Sequence, residues 1–180
     1  MNRSEAYELL KENIESPNLI SHSLAVEACM RHFADRFGHD PDKWGNAGLL
    51  HDLDYEETKE DPEKHGRITI EMLKDKLDPE SLDAILAHPG HRERTTLMDK
   101  VLYAVDPVTG FLVACALMSS SKTIEGLKLK SMKKKFKSKT FAAGADRDQI
   151  KSCADFDMEL WEFIQECQKA MTTISDELGL

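Results

Sequence analysis

The sequence predicts an all-α protein, a single-domain helical bundle. Three observations carry this. Helix starts of one chemistry recur, at Asp40-Pro41-Asp42, Asp61-Pro62-Glu63 and Asp78-Pro79-Glu80. In each, an Asp oxygen can cap free N–H groups, proline follows where its missing N–H costs nothing, and an acid then suits the helix dipole. Apolar residues recur at helical spacing, while strand-like alternation with hairpin signals is missing. Finally, 180 residues, 41% hydrophobic and 32% charged, suffice for one buried core but not comfortably for two domains.

A short first helix covers about Ser4–Glu15, closed by Ser16-Pro17. A longer one runs from about Leu19 to Phe37 and stops at Gly38. Further helices are predicted over 41–51, 62–76, 79–88, 96–118 and 147–178. Segment 119–146, rich in Ser, Lys and Gly, carries the weakest structural signal.

Composition limits the function classes. The net charge of −9 argues against a protein that coats nucleic acid through its whole surface. Met1–Asn13 has no apolar run like a secretory signal, and the longest uninterrupted apolar stretch, Phe111–Met118, is far too short to span a bilayer. Cys29, Cys115, Cys153 and Cys167 lie far apart without a CxxC, as reduced thiols of a cytoplasmic protein would. Charge is uneven. Lys122–Lys139 holds eight lysines against one acid, Glu125, so the rest of the chain carries a net −16. Such a segment attracts phosphate groups or, more simply, forms a solvated surface.

The chemistry rests on histidines and aspartates. His22 shares a helical face with Leu19, Val26, Met30, Phe33 and Phe37, whereas His32 falls off that stripe and is expected to be exposed. His51-Asp52 follows Ala47-Gly48-Leu49-Leu50 and precedes Leu53. A carboxylate in such apolar surroundings is costly without a hydrogen-bond partner or a cation. The second pair, His39-Asp40, reads as a turn with Asp40 as a helix cap. Asp106 interrupts two apolar runs, with Leu102, Gly110 and Val113 on its face. Pro107 leaves two readings for Asp106, a further helix cap or a buried acid at a kink. His65 is expected one turn into a helix beside Ile68 and Met72, and His88 ends the helix containing Leu82, Ile85 and Leu86. Taken singly, each suits a structural role. Together, inward imidazoles and carboxylates from several helices need a counter-charge, and nitrogen-plus-carboxylate ligation suits Mn, Fe or Zn, with Mg possible.

The order His22, His51-Asp52, Asp106 resembles the HD superfamily of metal-dependent phosphohydrolases, over about Leu19 to Val113. The wording of Ala47–Tyr55 and Tyr103–Gly110, and a segment like Lys133–Phe141 followed by a helix, are similar to a group of small stand-alone bacterial HD hydrolases. The resemblance implies an HD-type bundle over 1–180, with a motif core at about 19–113 and a C-terminal basic segment and helix over 119–180. It implies a metal held by His22, His51, Asp52 and Asp106, and a second by His65 and His88 with Asp52 bridging. Leu53-Asp54-Tyr55 stands where many members carry a lysine shortly after the doublet, and no cyclic-dinucleotide phosphodiesterase signature is present. These departures bear on the substrate.

The mechanism expected is attack of a metal-activated water on a small-molecule phosphoester, a nucleotide or a related compound, with Asp52 central. Asp54 is placed to orient a ligand or accept a proton, against the plainer reading of a surface acid. Arg92, Arg94 and Lys100 flank the His88 and Asp106 segments and are candidates for gripping substrate phosphate, against the plainer reading of exposed charges. The Lys130–Lys139 block is a candidate for closing over the site or contacting a longer anionic substrate. Three other readings compete: a di-iron oxygenase on the same fold, a non-catalytic nucleotide-sensing module, and RNA or anionic-partner binding through the lysines. Substrate and oligomeric state are not legible.

Overall fold

In the computed structural model, which describes Met1–Leu180, all regular secondary structure is helical and there are no strands. Helix α1 spans Arg3–Asn13, α2 Pro17–Phe37, α3 Pro41–Leu50, α4 Tyr55–Thr58, α5 Arg67–Leu73 and α6 Pro79–Ala87. The long α7 covers Leu97–Leu117, followed by α8 Leu129–Phe136, α9 Arg147–Lys151, a 3₁₀ turn Ser152–Phe156, α10 Leu160–Thr172 and α11 Ser175–Leu178.

Two of the three Asp-Pro signals start helices. Asp40 accepts from the N–H groups of Asp42 (2.9 Å) and Lys43 (3.3 Å), and Asp78 from those of Glu80 (3.1 Å) and Ser81 (3.3 Å). Asp61 does not. Residues 62–66 form turns, Asp61 pairs with Lys64 at 2.9 Å, and α5 begins only after Gly66, whose φ is +77°. A Cβ on Gly66 would lie 3.1 Å from Pro89 Cγ and 3.2 Å from the Ile85 carbonyl. Close packing on the turn after α6 therefore sets the break, and a left-handed glycine permits it. Pro17 likewise opens α2 rather than closing α1, because a proline at the first helical position loses no hydrogen bond.

Asp106-Pro107 starts no helix, since α7 runs through it unbroken. Pro107 has no N–H to offer the carbonyl of Tyr103, and Gln149 Nε2 donates to that carbonyl instead, at 2.9 Å. The predicted 147–178 helix is divided into α9, the 3₁₀ turn, α10 and α11, and Asp157, at φ +59°, ends the 3₁₀ turn before α10. Segment 119–146 contains α8, which buries Met132 and Phe136 and leaves most of its lysines in solvent.

The core has two parts. In the larger, α2, α7 and α10 meet around Phe33, which stacks on Phe37 (6.0 Å) and Phe163 (5.4 Å). Each fully buried side chain of this size contributes roughly 1.5–3 kcal/mol. The smaller joins α1, α3, α5 and α6 around Leu10, Leu49, Leu73 and Ile85. Gly48 brings α3 against α2, because a Cβ there would lie 2.8 Å from Met30 Cγ and 3.2 Å from the Val26 carbonyl. Helix α7 is long and apolar enough to cross a membrane by length and composition alone; most of its apolar residues are buried inside the protein. His32 is not free in solvent as expected, since its Nε2 lies 2.7 Å from Glu166 Oε2 of α10.

Candidate metal centre

Six side chains from five places in the fold converge. His22 comes from α2, His51 and Asp52 from the turn after α3, His65 from the turn before α5, His88 from the end of α6, and Asp106 from α7. His65 thus stands in a turn, not one turn inside a helix. Asp52 is the centre. Its Oδ1 lies 3.3 Å from His51 Nε2, 3.3 Å from His65 Nε2 and 3.2 Å from His88 Nε2, while its Oδ2 is 3.6 Å from His22 Nε2. Asp106 Oδ1 lies 3.2 Å from His22 Nε2 and 3.9 Å from His51 Nε2.

Each imidazole is oriented from behind through Nδ1. His51 donates to the Gly48 carbonyl at 2.8 Å, His88 to that of Ile85 at 2.5 Å, and His65 to Asp54 Oδ1 at 2.8 Å. His22 donates to Thr109 Oγ1 at 3.1 Å, and that hydroxyl donates in turn to the Asp106 carbonyl at 2.9 Å. With every Nδ1 engaged as a donor, four Nε2 atoms face the two carboxylates. This is the tautomer that a metal-binding histidine needs.

Two details fit a cation. His51 is fully buried and its Nε2 has no hydrogen-bond partner, a costly arrangement for a polar atom. The Nε2 atoms of His65 and His88 are 3.1 Å apart, so their lone pairs repel unless a proton or a cation lies between the rings and Asp52. Two groups of donor atoms are close enough to hold an ion each: His22, His51 and Asp52, and Asp52, His65 and His88. Asp106 flanks the first group. The donors are imidazole and carboxylate, and all four cysteines are buried and unpaired in the core. That chemistry suits Mn, Fe or Zn.

Without an ion, the cluster balances its charge with protons. Burial works against a charged His51, but Asp52 and Asp106 outweigh it and raise its pKa. For His65 too burial is outweighed, by the hydrogen bonds to Asp52 and Asp54, which push it up to about 10. Burial alone would raise Asp52, yet the charge of His51 and the hydrogen bonds of His65 and His88 hold it well below the usual carboxylate range. Asp106 is lowered in the same way by His22 and His51.

The cluster opens into a cleft of about 560 Å³. His22, Asp52, His65 and Asp106 line it, together with Pro107, Gly110 and Ala114 of α7, a wall segment contributing Ala142, Gly144 and Ala145, and Leu19 and Tyr55. Asp54 is no surface acid: it is buried, and its carboxylate is committed to His65 Nδ1 and to the Thr69 N–H at 2.9 Å. It orients a ring and is not free to take a proton.

The three basic candidates do not line this cleft. Arg92 pairs with Asp83, and Arg94 stacks on the Tyr103 ring at 3.8 Å. Lys100 lies in the first turn of α7, more than one turn before Asp106. Stacking and local pairing outcompete a free position at the cleft. Nor does the Lys130–Lys139 block close over it: Lys133 stands over Trp161 at 5.2 Å, and Lys135 donates to the Cys115 carbonyl at 3.1 Å. Thr109 and the 142–145 wall escaped sequence reasoning. Thr109 had a signal, standing one turn after Asp106; the wall had none.

The HD domain family model matches residues 19–117, more than half of the chain. No curated protein and no solved structure matches it.

Proposed function

The chain belongs to the HD domain family, and from that premise we propose that it is a metal-dependent phosphohydrolase acting on a small phosphoester. One observation carries this reading: a single carboxylate, Asp52, lies between two sets of imidazole nitrogens, as a ligand shared by two adjacent ions would. His22, His51, Asp52 and Asp106 would hold the first ion, and Asp52, His65 and His88 the second. Four of the six side chains are imidazoles, which favours Mn, Fe or Zn over Mg.

Divalent ions, when bound, supply a water acidified toward neutrality and positive charge for phosphoryl oxygens. The chain supplies the placement. Asp54, Thr109 and the carbonyls of Gly48 and Ile85 fix the four rings. Asp52 and Asp106 carry the negative charge that retains cations, and both face the cleft through which an ester reaches them. A nucleotide or a related compound is the substrate class proposed. Four buried, unpaired thiols suit a reducing compartment, and we place the reaction in the cytoplasm.

The test is elemental analysis of the purified protein, then a phosphoester panel with the metal restored. One or two equivalents of transition metal are expected, and His51→Ala and Asp52→Ala should lose both metal and hydrolysis. Unchanged metal and turnover in these variants would remove the reading. The same donor set suits two irons and so supports a second reading, oxygen-dependent cleavage; a mixed-valent di-iron signal with oxygen uptake would favour it over hydrolysis.

A further inference from the structure

Glycine inside a helix costs about 0.5–1 kcal/mol relative to alanine, so a helical glycine calls for a reason. Gly110 lies well inside α7 and has none in its conformation, since it is not among the positive-φ residues. It has none in packing either. A Cβ built on Gly110 meets nothing within 4 Å, whereas one on Gly48 would strike Met30. What Gly110 does face is the cleft. It stands one turn beyond Asp106 and one turn before Ala114, and all three line it.

The 142–145 wall, which lines the same cleft, is tied down by a neighbouring side chain. Arg147 has no carboxylate partner and donates to the carbonyls of Phe141 (2.5 Å), Ala142 (3.0 Å), Phe136 (3.3 Å) and Ala145. Its guanidinium lies over the rings of Phe111 (4.9 Å) and Phe136 (5.3 Å), which meet each other edge to face. Ala142 takes a φ of +46°, unfavourable for a residue with a side chain. The slot between these walls carries no lysine or arginine, and it is lined too by the His/Asp cluster, where the buried His51 Nε2 is unpartnered.

We propose that the slot between Gly110 and the 142–145 wall is the subsite for the uncharged organic group of a phosphomonoester, and that Gly110 is bare to admit it. The inference rests on the phosphohydrolase reading for the orientation of the ester, phosphate toward Asp52 and organic group toward Gly110. Further phosphates on the substrate would find no cationic side chain along these walls. A flat or slender group fits between a bare helix face and a wall of alanines and glycine.

The test compares inorganic phosphate with phenylphosphonate, a non-hydrolysable monoester mimic, by calorimetry on the manganese-loaded protein. In the wild type the phenyl group should tighten binding about tenfold, some 1.4 kcal/mol. Gly110→Leu should abolish that gain while leaving phosphate affinity and manganese content unchanged. Gly110→Ala should keep part of the gain and melt at a higher temperature than the wild type. Equal affinity for the two ligands in the wild type, or an unchanged ratio in Gly110→Leu, overturns the subsite. Failure to bind either ligand overturns both the subsite and the phosphohydrolase reading. If phenylphosphonate is discriminated but phenyl phosphate is not hydrolysed, the reaction falls and the subsite stands.

Discussion

Asp54 Oδ1 accepts from His65 Nδ1 at 2.8 Å, directly behind the ring whose other nitrogen faces Asp52. The same carboxylate accepts from the Thr69 N–H, and the Asp54 N–H donates to Thr69 Oγ1 at 3.1 Å. Asp54 is therefore a buried strut between the doublet turn and α5. Because His65 lies in a turn and not in a helix, this strut replaces the positional control that a helix would supply.

Asp54→Asn should weaken metal binding at the His65–His88 side selectively. An amide offers one acceptor oxygen where the carboxylate offers two, so His65 or Thr69 loses its partner. Loss of an orienting partner of this kind costs about 10–100-fold in metal affinity. Titration with manganese should show one equivalent bound as in the wild type and the second weakened by that factor. Uniform weakening of both equivalents would contradict the division into two groups.

The protonated rings predict opposite pH trends for the metal-free and metal-loaded protein. His65 rises from an ordinary 6.5 to about 10 in the folded chain. Its contribution to stability is thus complete below pH 6.5 and lost as pH rises toward 10. A cation must displace that proton, so apparent metal affinity rises over the same window. Melting temperatures from pH 6.5 to 9.5 should fall for chelator-treated protein, while the gain on adding manganese widens. Asp52 and Asp106, both lowered, contribute stability above their ordinary value of 3.8 that is lost as pH falls below it. A flat or rising metal-free curve in the alkaline range would show that His65 does not hold its proton there.

The sequence made the helical faces legible because helices report their own periodicity. His22 could be placed inward from its spacing to Leu19 and Val26, and the turn after Leu50 from its apolar neighbours. What failed were judgements that depend on partners distant in sequence. The signal at Asp61-Pro62 looked like those at Asp40 and Asp78, but Gly66 packs under Pro89 and delays α5. Arg94 read as a free cation until Tyr103 supplied a ring for it to cover. Asp54 stayed open between an orienting acid and a surface acid because nothing local reveals that Thr69 and His65 will close over it. The wall at 142–145 is held by an arginine satisfying backbone carbonyls, and backbone carbonyls are the same in every sequence.

Arg147→Leu should loosen that wall. The leucine retains apolar contact with Phe111 and Phe136 but leaves the carbonyls of Phe136, Phe141 and Ala145 without their donor, whereas that of Ala142 keeps the Ala145 N–H. Stranded acceptors cost roughly 1–3 kcal/mol, which urea denaturation would register. Arg147→Lys keeps one charge and fewer donors and should recover part of the loss. Metal content should stay at the wild-type level in both, since no ligand candidate touches Arg147.

Gly48→Val tests whether the approach of α3 to α2 builds the site. His51 hangs from the end of α3 and donates to the carbonyl of Gly48 itself, while His22 sits on α2 with its ring centroid 5.3 Å from that of His51. A β-branched side chain at position 48 would drive its Cβ to 2.8 Å from Met30 Cγ and toward the Val26 carbonyl, and the backbone cannot yield as a flexible side chain can. Overpacking of this kind costs about 1–3 kcal/mol. The two helices must part, and with them His22 and His51, so the first ion should bind more weakly than the stability loss alone explains. Gly48→Ala, which adds that same Cβ but nothing beyond it, should show the smaller effect, and Met30→Ala combined with Gly48→Ala, which removes the Met30 Cγ clash but not the 3.2 Å approach to the Val26 carbonyl, should restore part of the metal affinity. If Gly48→Val lowers the melting temperature but binds manganese as the wild type does, the spacing of α2 and α3 governs stability without setting the geometry of the metal centre.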